Sequence, residues 1–213
     1  YAQLRDDVET VAHGLLAAGL TKGDRVGIWA PNCAEWVLVQ YATAKIGAIL
    51  VNINPAYRTH ELEFVLNQAG ISMLVAATSF KTSDYAAMID EVRPKCAGLR
   101  QVVLIGTPSW DALVEAGRGG DRARLQRLQA ELSPDDPINI QYTSGTTGFP
   151  KGAMHSQRSF VTGGEAFVQR VYLQDDDRAG LRDRAPHGGH RRCGSKTGCV
   201  ISLREAHAPT RDT

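Results

Sequence analysis

The chain has 213 residues, with 24 lysines and arginines against 23 aspartates and glutamates, so its formal net charge is +1. This length allows one domain or slightly more, and contents of 43% hydrophobic and 22% charged residues are those of a folded globular protein. The near-zero charge excludes nucleic acid and anionic membranes as expected electrostatic partners. No apolar run reaches the roughly 18 residues that a membrane-spanning helix needs, so no transmembrane segment is expected.

Cysteine content indicates the compartment. Four cysteines in a chain of this length are too few for a disulfide scaffold, and no secretory signal opens the chain. We therefore expect a reducing compartment, which is the cytoplasm, or the mitochondrial matrix if the source is eukaryotic. Cys33 and Cys96 are expected to be ordinary buried or half-buried thiols, since nothing near them in sequence would activate a nucleophile.

The first third of the chain alternates helical and strand patterns. Apolar residues at helical spacing precede a glycine, and short apolar runs rich in valine and isoleucine follow. Thr59 is expected to cap the third helix. In chain order the sequence predicts a helix over 4–16, a strand over 24–30, a helix over 31–44, a strand over 49–53, a helix over 59–68 and a strand over 71–76.

The alternation continues to residue 142. The sequence predicts a helix over 83–92, a strand over 101–105, helices over 110–116 and 122–132, and a strand over 138–142. Strands that alternate with helices predict an α/β fold with a mostly parallel sheet. Trp29 and Trp36 are expected in its core. Asp135 and Asp136 precede a proline and indicate a turn rather than a pair of catalytic carboxylates.

Composition changes near residue 175. All fourteen aromatic residues precede this point, and residues 175–213 show no clear helical or strand pattern. The sequence therefore predicts a partial domain over 1–174 and an irregular tail over 175–213. The tail is either disordered or the product of a frameshift near 174–179, because its arginine, glycine and histidine bias is typical of a GC-rich gene translated in a wrong frame.

Four potential zinc ligands lie in the tail. His187, His190, Cys193 and Cys199 have side chains that bind zinc. No hairpin and helix of the kind that supports a structural zinc site is predicted around them. We therefore expect no metal site in this chain.

One segment carries recognisable chemistry. Six consecutive residues after the last predicted strand are glycine, serine or threonine, and a lysine follows three positions later. Glycines let the backbone approach a ligand, successive amides can surround an anion, and hydroxyls and an ammonium group add donors. These candidate ligand-binding residues are Thr143, Ser144, Gly145, Thr146, Thr147, Gly148 and Lys151.

The same segment has a simpler interpretation, because clusters of glycine, serine and threonine commonly form solvated turns. A Gly-rich turn directly after a strand is, however, where open α/β sheets bind ligands. The segment is not a Walker A loop, since Pro150 precedes Lys151 and Gly152 follows it. On the residues alone, a phosphate site and a solvated turn both remain open.

Residues 142–152, Tyr-Thr-Ser-Gly-Thr-Thr-Gly-Phe-Pro-Lys-Gly, resemble the signature of the adenylate-forming (AMP-binding) superfamily without a break. Residues 19–26 and 44–55 are similar to its earlier core segments. Residues 52–57 and 136–142 look closest to medium-chain fatty acyl-CoA synthetases. The resemblance covers about residues 1–174.

The resemblance implies an acid–thiol ligase of two steps. A carboxylic acid, here a medium-chain fatty acid, attacks ATP with Mg²⁺ present and forms an acyl-adenylate, and coenzyme A then displaces AMP. The segment from Thr143 to Lys151 would hold the β- and γ-phosphates. The family's adenine-contacting, ribose-binding, Mg²⁺-binding and catalytic residues lie beyond this segment and have no counterpart here, so the catalytic residues are unknown. We expect an enzyme fragment that is inactive alone.

The chain also departs from the family pattern. The family has a histidine six positions after the lysine, where this sequence has Gln157, and we do not transfer that role to His155. Two alternatives stay open beside the fatty acyl-CoA synthetase. One is an adenylating enzyme for another substrate class, such as an aryl-CoA ligase or an amino-acid adenylating domain. The other is a non-catalytic ATP-binding module.

Overall fold

A computed structural model describes residues 1–143, 150–171, 180–183 and 199–202. Chain contacts divide it into two compact units, residues 1–160 and 161–213. The predicted domain boundary at residue 174 stays a prediction. The predicted site residues Ser144, Gly145, Thr146, Thr147 and Gly148 lie outside the described residues, and so do most residues of the tail.

The first unit alternates helices and strands as the sequence predicts. In chain order its first elements are α1 (Ala2–Ala17), β1 (Arg25–Trp29), α2 (Ala34–Ile46), β2 (Ile49–Asn52), α3 (Thr59–Gln68) and β3 (Met73–Ala76). A small hairpin of β4 (Ser79–Phe80) and β5 (Ser83–Asp84) leads into α4 (Tyr85–Val92). The remaining elements are β6 (Gln101–Leu104), α5 (Pro108–Gly117), α6 (Arg122–Ala130), β7 (Pro137–Thr143), β8 (Lys151–Ser156) and α7 (Gln157–Val171), whose last residues belong to the second unit.

Six strands form one sheet in the order β6-β3-β1-β2-β7-β8. The first five are parallel, and only β8 runs antiparallel, paired with β7. This arrangement confirms the predicted α/β fold with a mostly parallel sheet. A parallel sheet needs both faces covered, and the continuous apolar runs of β1, β2 and β3 meet that need.

The core lies on both faces of the sheet. Ile28, Leu50 and Val75 point to the face packed by α1, α2 and α5, whereas Trp29 and Val51 point to the face packed by α3 and α4. All five are fully buried. Trp36 is half-buried against the first face, so the predicted core placement of both tryptophans is confirmed. Cys33 is half-buried and Cys96 buried, both unpaired, and burial raises the pKa of each thiol.

The cap of α3 and the start of α4 differ from prediction for local reasons, and several other bounds differ by one to three residues. Thr59 is the first residue of α3 rather than its cap, and the preceding Arg58 occupies the cap position. The backbone N–H of Arg58 donates a hydrogen bond to the Glu61 carboxylate at 3.0 Å. Helix α4 begins two residues later than predicted, because Ser83 and Asp84 pair with β4. Asp84 then caps the helix by accepting from the N–H of Ala87 at 3.0 Å.

Five strands and the helix α7 were not predicted, and two of these strands form the β4–β5 hairpin. Strand β8 has the sequence Lys-Gly-Ala-Met-His-Ser, which lacks an apolar alternation, and it is stabilised by pairing with β7. In the tail, β9 (Gly180–Asp183) pairs antiparallel with β10 (Cys199–Ser202). These eight residues form a two-stranded pairing within the predicted irregular tail, and the assignment of the tail as a whole stays a prediction. Adjacent valine and isoleucine in β10 favour a strand.

Tyr85 couples the stability of the fold to alkaline pH. Its buried ring stacks on Trp29 with centroids 3.5 Å apart, and its hydroxyl donates to the carbonyl oxygen of Pro55 at 2.5 Å. Burial strongly raises the pKa of Tyr85. Above pH ~10 the unfolded chain loses this proton while the folded chain keeps it, so stability is fully present below pH ~10 and falls as pH rises further.

We therefore expect Tyr85→Phe to cost about 1 kcal/mol at pH ~8, through the lost hydrogen bond. The difference from the unmodified chain should shrink, or change sign, at pH ~11. Urea unfolding at the two pH values measures this. An equal difference at both values would contradict the assignment.

Candidate functional site

The two ends of the predicted phosphate segment lie in the antiparallel β7–β8 hairpin. Thr143 ends β7, Lys151 begins β8, and the two residues are directly paired across the strands. The Thr143 hydroxyl donates to the Lys151 carbonyl oxygen at 3.4 Å, a long hydrogen bond. The structure thus brings together the two ends of the segment, and the five candidate residues between them lie outside the described residues.

The hairpin begins at the carboxyl end of a parallel strand. Strand β7 runs beside β2 in parallel register, with Asn139 opposite Leu50 and Gln141 opposite Asn52. In open α/β sheets, ligands bind in the crevice beyond the carboxyl ends of such strands. Thr143, the first residue of the segment, therefore lies at the edge of the sheet where a ligand-binding turn would begin.

Lys151 carries a charge that the described part of the chain leaves unpaired. Its side chain is exposed, and no carboxylate among the described residues forms an ion pair with it. By contrast, Lys22, Lys45 and Lys95 pair with Asp136, Glu9 and Glu63 respectively. An unpaired ammonium group beside a glycine- and hydroxyl-rich turn is able to bind an anion.

Tyr142 anchors the hairpin on helix α3. Its hydroxyl donates to Gln68 Oε1 at 2.9 Å, and burial, followed by the nearby Tyr57 phenol, raises the pKa of Tyr142. Gly152 lies opposite this ring; a Cβ there would stand 3.3 Å from Tyr142 Cζ and 3.0 Å from Ile140 Cγ2. Glycine at position 152 therefore lets β8 approach the Tyr142 ring closely. The ring contacts fix the strand directly before Thr143.

Ion pairs hold the base of the hairpin. Arg158 binds Asp135 through two hydrogen bonds of 2.6 and 3.0 Å, and Lys22 lies 2.6 Å from Asp136. The hydrogen bond from Arg158 lowers the pKa of Asp135, and those from Lys22 and then the Ser133 N–H lower the pKa of Asp136. Both carboxylates therefore stay ionised near neutral pH, which agrees with the predicted turn and not with a general acid.

The histidine near the hairpin has a packing contact. His155 is half-buried in β8 and meets the Phe160 ring edge-on, with centroids 5.5 Å apart. Gln157, which stands at the family's histidine position, begins α7 and is exposed. The structure gives no reason to transfer the family histidine's role to His155.

A metal site is not visible in the described part of the chain. No group of three histidine, cysteine, aspartate or glutamate side chains is close enough there to hold an ion. His187, His190 and Cys193 lie outside the described residues, and Cys199 is described only as part of β10. The expectation that the tail holds no zinc therefore stays a prediction. Within the same residues, no helix is long and apolar enough to cross a bilayer.

A buried polar cluster beneath the hairpin was not predicted from the sequence. The Asn139 side chain, fully buried in β7, hydrogen-bonds Gln40 of α2 and Asn52 of β2. A signal for it was available, because β7 alternates asparagine, glutamine and threonine with isoleucine and tyrosine. That alternation indicates two faces of different polarity, whereas a buried parallel strand is normally apolar on both.

Known proteins match both the sequence and the fold. The family described as AMP-binding enzyme matches residues 1–184, which reaches ten residues into the predicted tail. Over 222 aligned residues the chain is 38% identical to the medium-chain acyl-CoA ligase ACSF2, mitochondrial, of Macaca fascicularis. That alignment covers 95% of this chain and 36% of the relative, so the chain spans little more than a third of that protein's length.

Two solved structures share the fold. The inhibitor-bound N-terminal domain of FACL13 from Mycobacterium tuberculosis has a TM-score of 0.67 at 30% identity, over 79% of this chain and 40% of that one. The long-chain-fatty-acid-CoA ligase FadD1 from Archaeoglobus fulgidus has a TM-score of 0.69 at 26% identity, over 83% of this chain and 33% of that one. With the family match extending over most of its length, this chain belongs to the AMP-binding enzyme family.

Proposed function

We propose that this chain is part of an acid–thiol ligase that activates a medium-chain fatty acid with ATP and transfers the acyl group to coenzyme A. The observation that carries the proposal is Lys151, which lies opposite Thr143 at the end of a parallel strand and forms no ion pair with the residues that the structure describes. Family membership and the name of the Macaca relative, a medium-chain acyl-CoA ligase, support the reaction and the substrate class.

The hairpin turn would bind the triphosphate of ATP. The Thr143, Ser144, Thr146 and Thr147 hydroxyls and the Lys151 ammonium group donate to phosphate oxygens, while Gly145 and Gly148 let backbone amides come close. Carboxylate attack at the α-phosphorus expels pyrophosphate. The protein's task is then to hold the leaving phosphates and offset their charge.

Mg²⁺, coenzyme A and the catalytic residues are the other components of the proposed reaction. Mg²⁺ would neutralise charge on the phosphates, and the described residues supply no cluster of acids to hold it, so it would arrive with the nucleotide. Coenzyme A is a co-substrate, and we assign it no residues here. Catalytic residues also stay unassigned, and we expect this chain by itself to bind ATP weakly and to turn over little.

Exchange of labelled pyrophosphate into ATP tests the reaction. It should be measured on this chain and on a version extended through the full length of its relatives, with octanoate, benzoate and an amino acid as separate acids. We expect octanoate-dependent exchange from the extended version and little from this chain. Exchange with benzoate or the amino acid alone would replace the substrate class, and ATP binding without any exchange would favour a non-catalytic module.

The compartment is also a proposal. The relative from Macaca fascicularis is named as mitochondrial, which agrees with a matrix location for a eukaryotic source, whereas the cytoplasm is the expectation otherwise. Fractionation of the source cells distinguishes the two.

A further inference from the structure

A chain of three amide side chains crosses from helix α2 to the sheet directly below the phosphate hairpin. The Asn139 amide nitrogen donates to Gln40 Oε1 at 3.4 Å, and the Asn139 oxygen accepts from Asn52 Nδ2 at 3.4 Å. Asn139 is fully buried, and Asn52 Oδ1 is buried with no partner among the described residues. We call Gln40, Asn52 and Asn139 the amide cluster.

The amide cluster marks one face of β7. Asn139 lies opposite Leu50, which packs on the α2 side, whereas Ile140 and Tyr142 pack on the α3 side. A shift of β7 by one residue would turn every side chain to the other face. It would bury Gln141 against the apolar α3 side and leave Gln40 without its partner. The cluster therefore opposes this error directly.

The amide cluster contributes little to the stability of the fold. Both hydrogen bonds lie at the long end of the accepted range, and one buried acceptor stays unpaired in the described part of the chain. A partly satisfied buried polar network is usually less stable than an apolar replacement of similar volume. Buried polar side chains of this kind are best attested as devices that select one register.

We propose that the amide cluster is a register lock for β7 and positions the phosphate turn. Thr143 lies four residues after Asn139 on the same strand, and its pairing with Lys151 sets the mouth of the turn. Correct register beside β2 therefore places both ends of the turn at the carboxyl edge of the sheet. The second half of this proposal rests on the proposed function, and the register lock itself does not.

The test separates stability from binding. Asn139→Leu alone leaves two amides unpaired, so it should lower both the denaturation midpoint and the affinity for ATP. The triple variant Gln40→Leu, Asn52→Leu, Asn139→Leu removes all the amides together. We expect it to regain the denaturation midpoint of the unmodified chain while its Kd for ATP stays raised about fivefold or more.

Hydrogen exchange of β7 gives a readout that does not depend on ATP. In the triple variant, amides of residues 138–143 should exchange about tenfold faster, whereas those of β1 and β3 stay as protected as before. Gln141→Leu, an apolar change on the same face outside the cluster, is the matched control and should preserve both readouts. A stable triple variant with normal ATP affinity and normal β7 exchange would overturn the proposal.

The two proposals fail differently. If the unmodified chain binds no ATP, the proposed function loses its support, and hydrogen exchange alone decides the register lock. Faster exchange confined to 138–143 then supports the lock, and unchanged exchange overturns it. Normal ATP binding by the unmodified chain with weakened binding by the triple variant supports both.

Discussion

Replacing Lys151 with glutamine is expected to weaken ATP binding by this chain about tenfold or more, which corresponds to about 1.4 kcal/mol. The described residues leave its ammonium group without an acidic partner, so the substitution removes a cation that the fold itself does not use. The denaturation midpoint should therefore stay close to that of the unmodified chain. Titration calorimetry with ATP and with inorganic triphosphate measures the affinities.

Lys95→Gln is the matched control for this change. Lys95 is also an exposed lysine, and its ion pair with Glu63 at 3.1 Å lies on the surface, where such pairs contribute little. The Lys95→Gln variant should bind ATP with the same affinity as the unmodified chain. Equal affinities for the Lys151 and Lys95 variants would remove the hairpin from the proposed ATP site.

Gly117→Ala is expected to destabilise the first unit by about 3 kcal/mol, because it adds a methyl group where two helices touch. A Cβ at Gly117 would overlap the backbone carbonyl of Thr10 and stand 2.7 Å from the amide nitrogen of Gly14. These are backbone atoms, so the α1–α5 contact must separate to make room. Urea unfolding followed by circular dichroism measures the loss.

Gly98→Ala provides the comparison in the same unit. The nearest atom to a Cβ at Gly98 is the Ile71 carbonyl oxygen at 3.9 Å, which is ordinary contact, so this variant should stay within about 0.5 kcal/mol of the unmodified chain. A Gly117→Ala variant that is as stable as Gly98→Ala would show that the two helices are not so closely packed.

The spacing of apolar residues in the sequence was sufficient to predict most helices and strands of the fold. Strands β1, β2 and β3 follow from continuous apolar runs, and the helices between them from apolar residues at helical spacing. These signals are local because each element must bury its own apolar side chains. The parallel arrangement follows as well, since strands joined through helices pair most readily in parallel.

Features that depend on distant partners were not predictable in this way. Strand β8 lacks an apolar alternation and forms because β7 supplies its hydrogen-bond partners. The close contact of Gly117 with α1 needs the crossing of two helices that are about a hundred residues apart in sequence. The cap of α3 depends on Glu61 rather than on the threonine that the usual preference favours.

For the candidate site, the amino acids themselves made the residues from Thr143 to Lys151 a candidate for binding an anion, because glycines, hydroxyls and a lysine in one short segment suit phosphate oxygens, while a solvated turn remained the alternative. Only the tertiary structure decided that Thr143 lies at the carboxyl end of a parallel strand, that Lys151 lacks an acidic partner among the described residues, and that Asn139 links β7 to α2. These three facts depend on which strands pair and in which register, and that is a property of the packed chain rather than of any one segment.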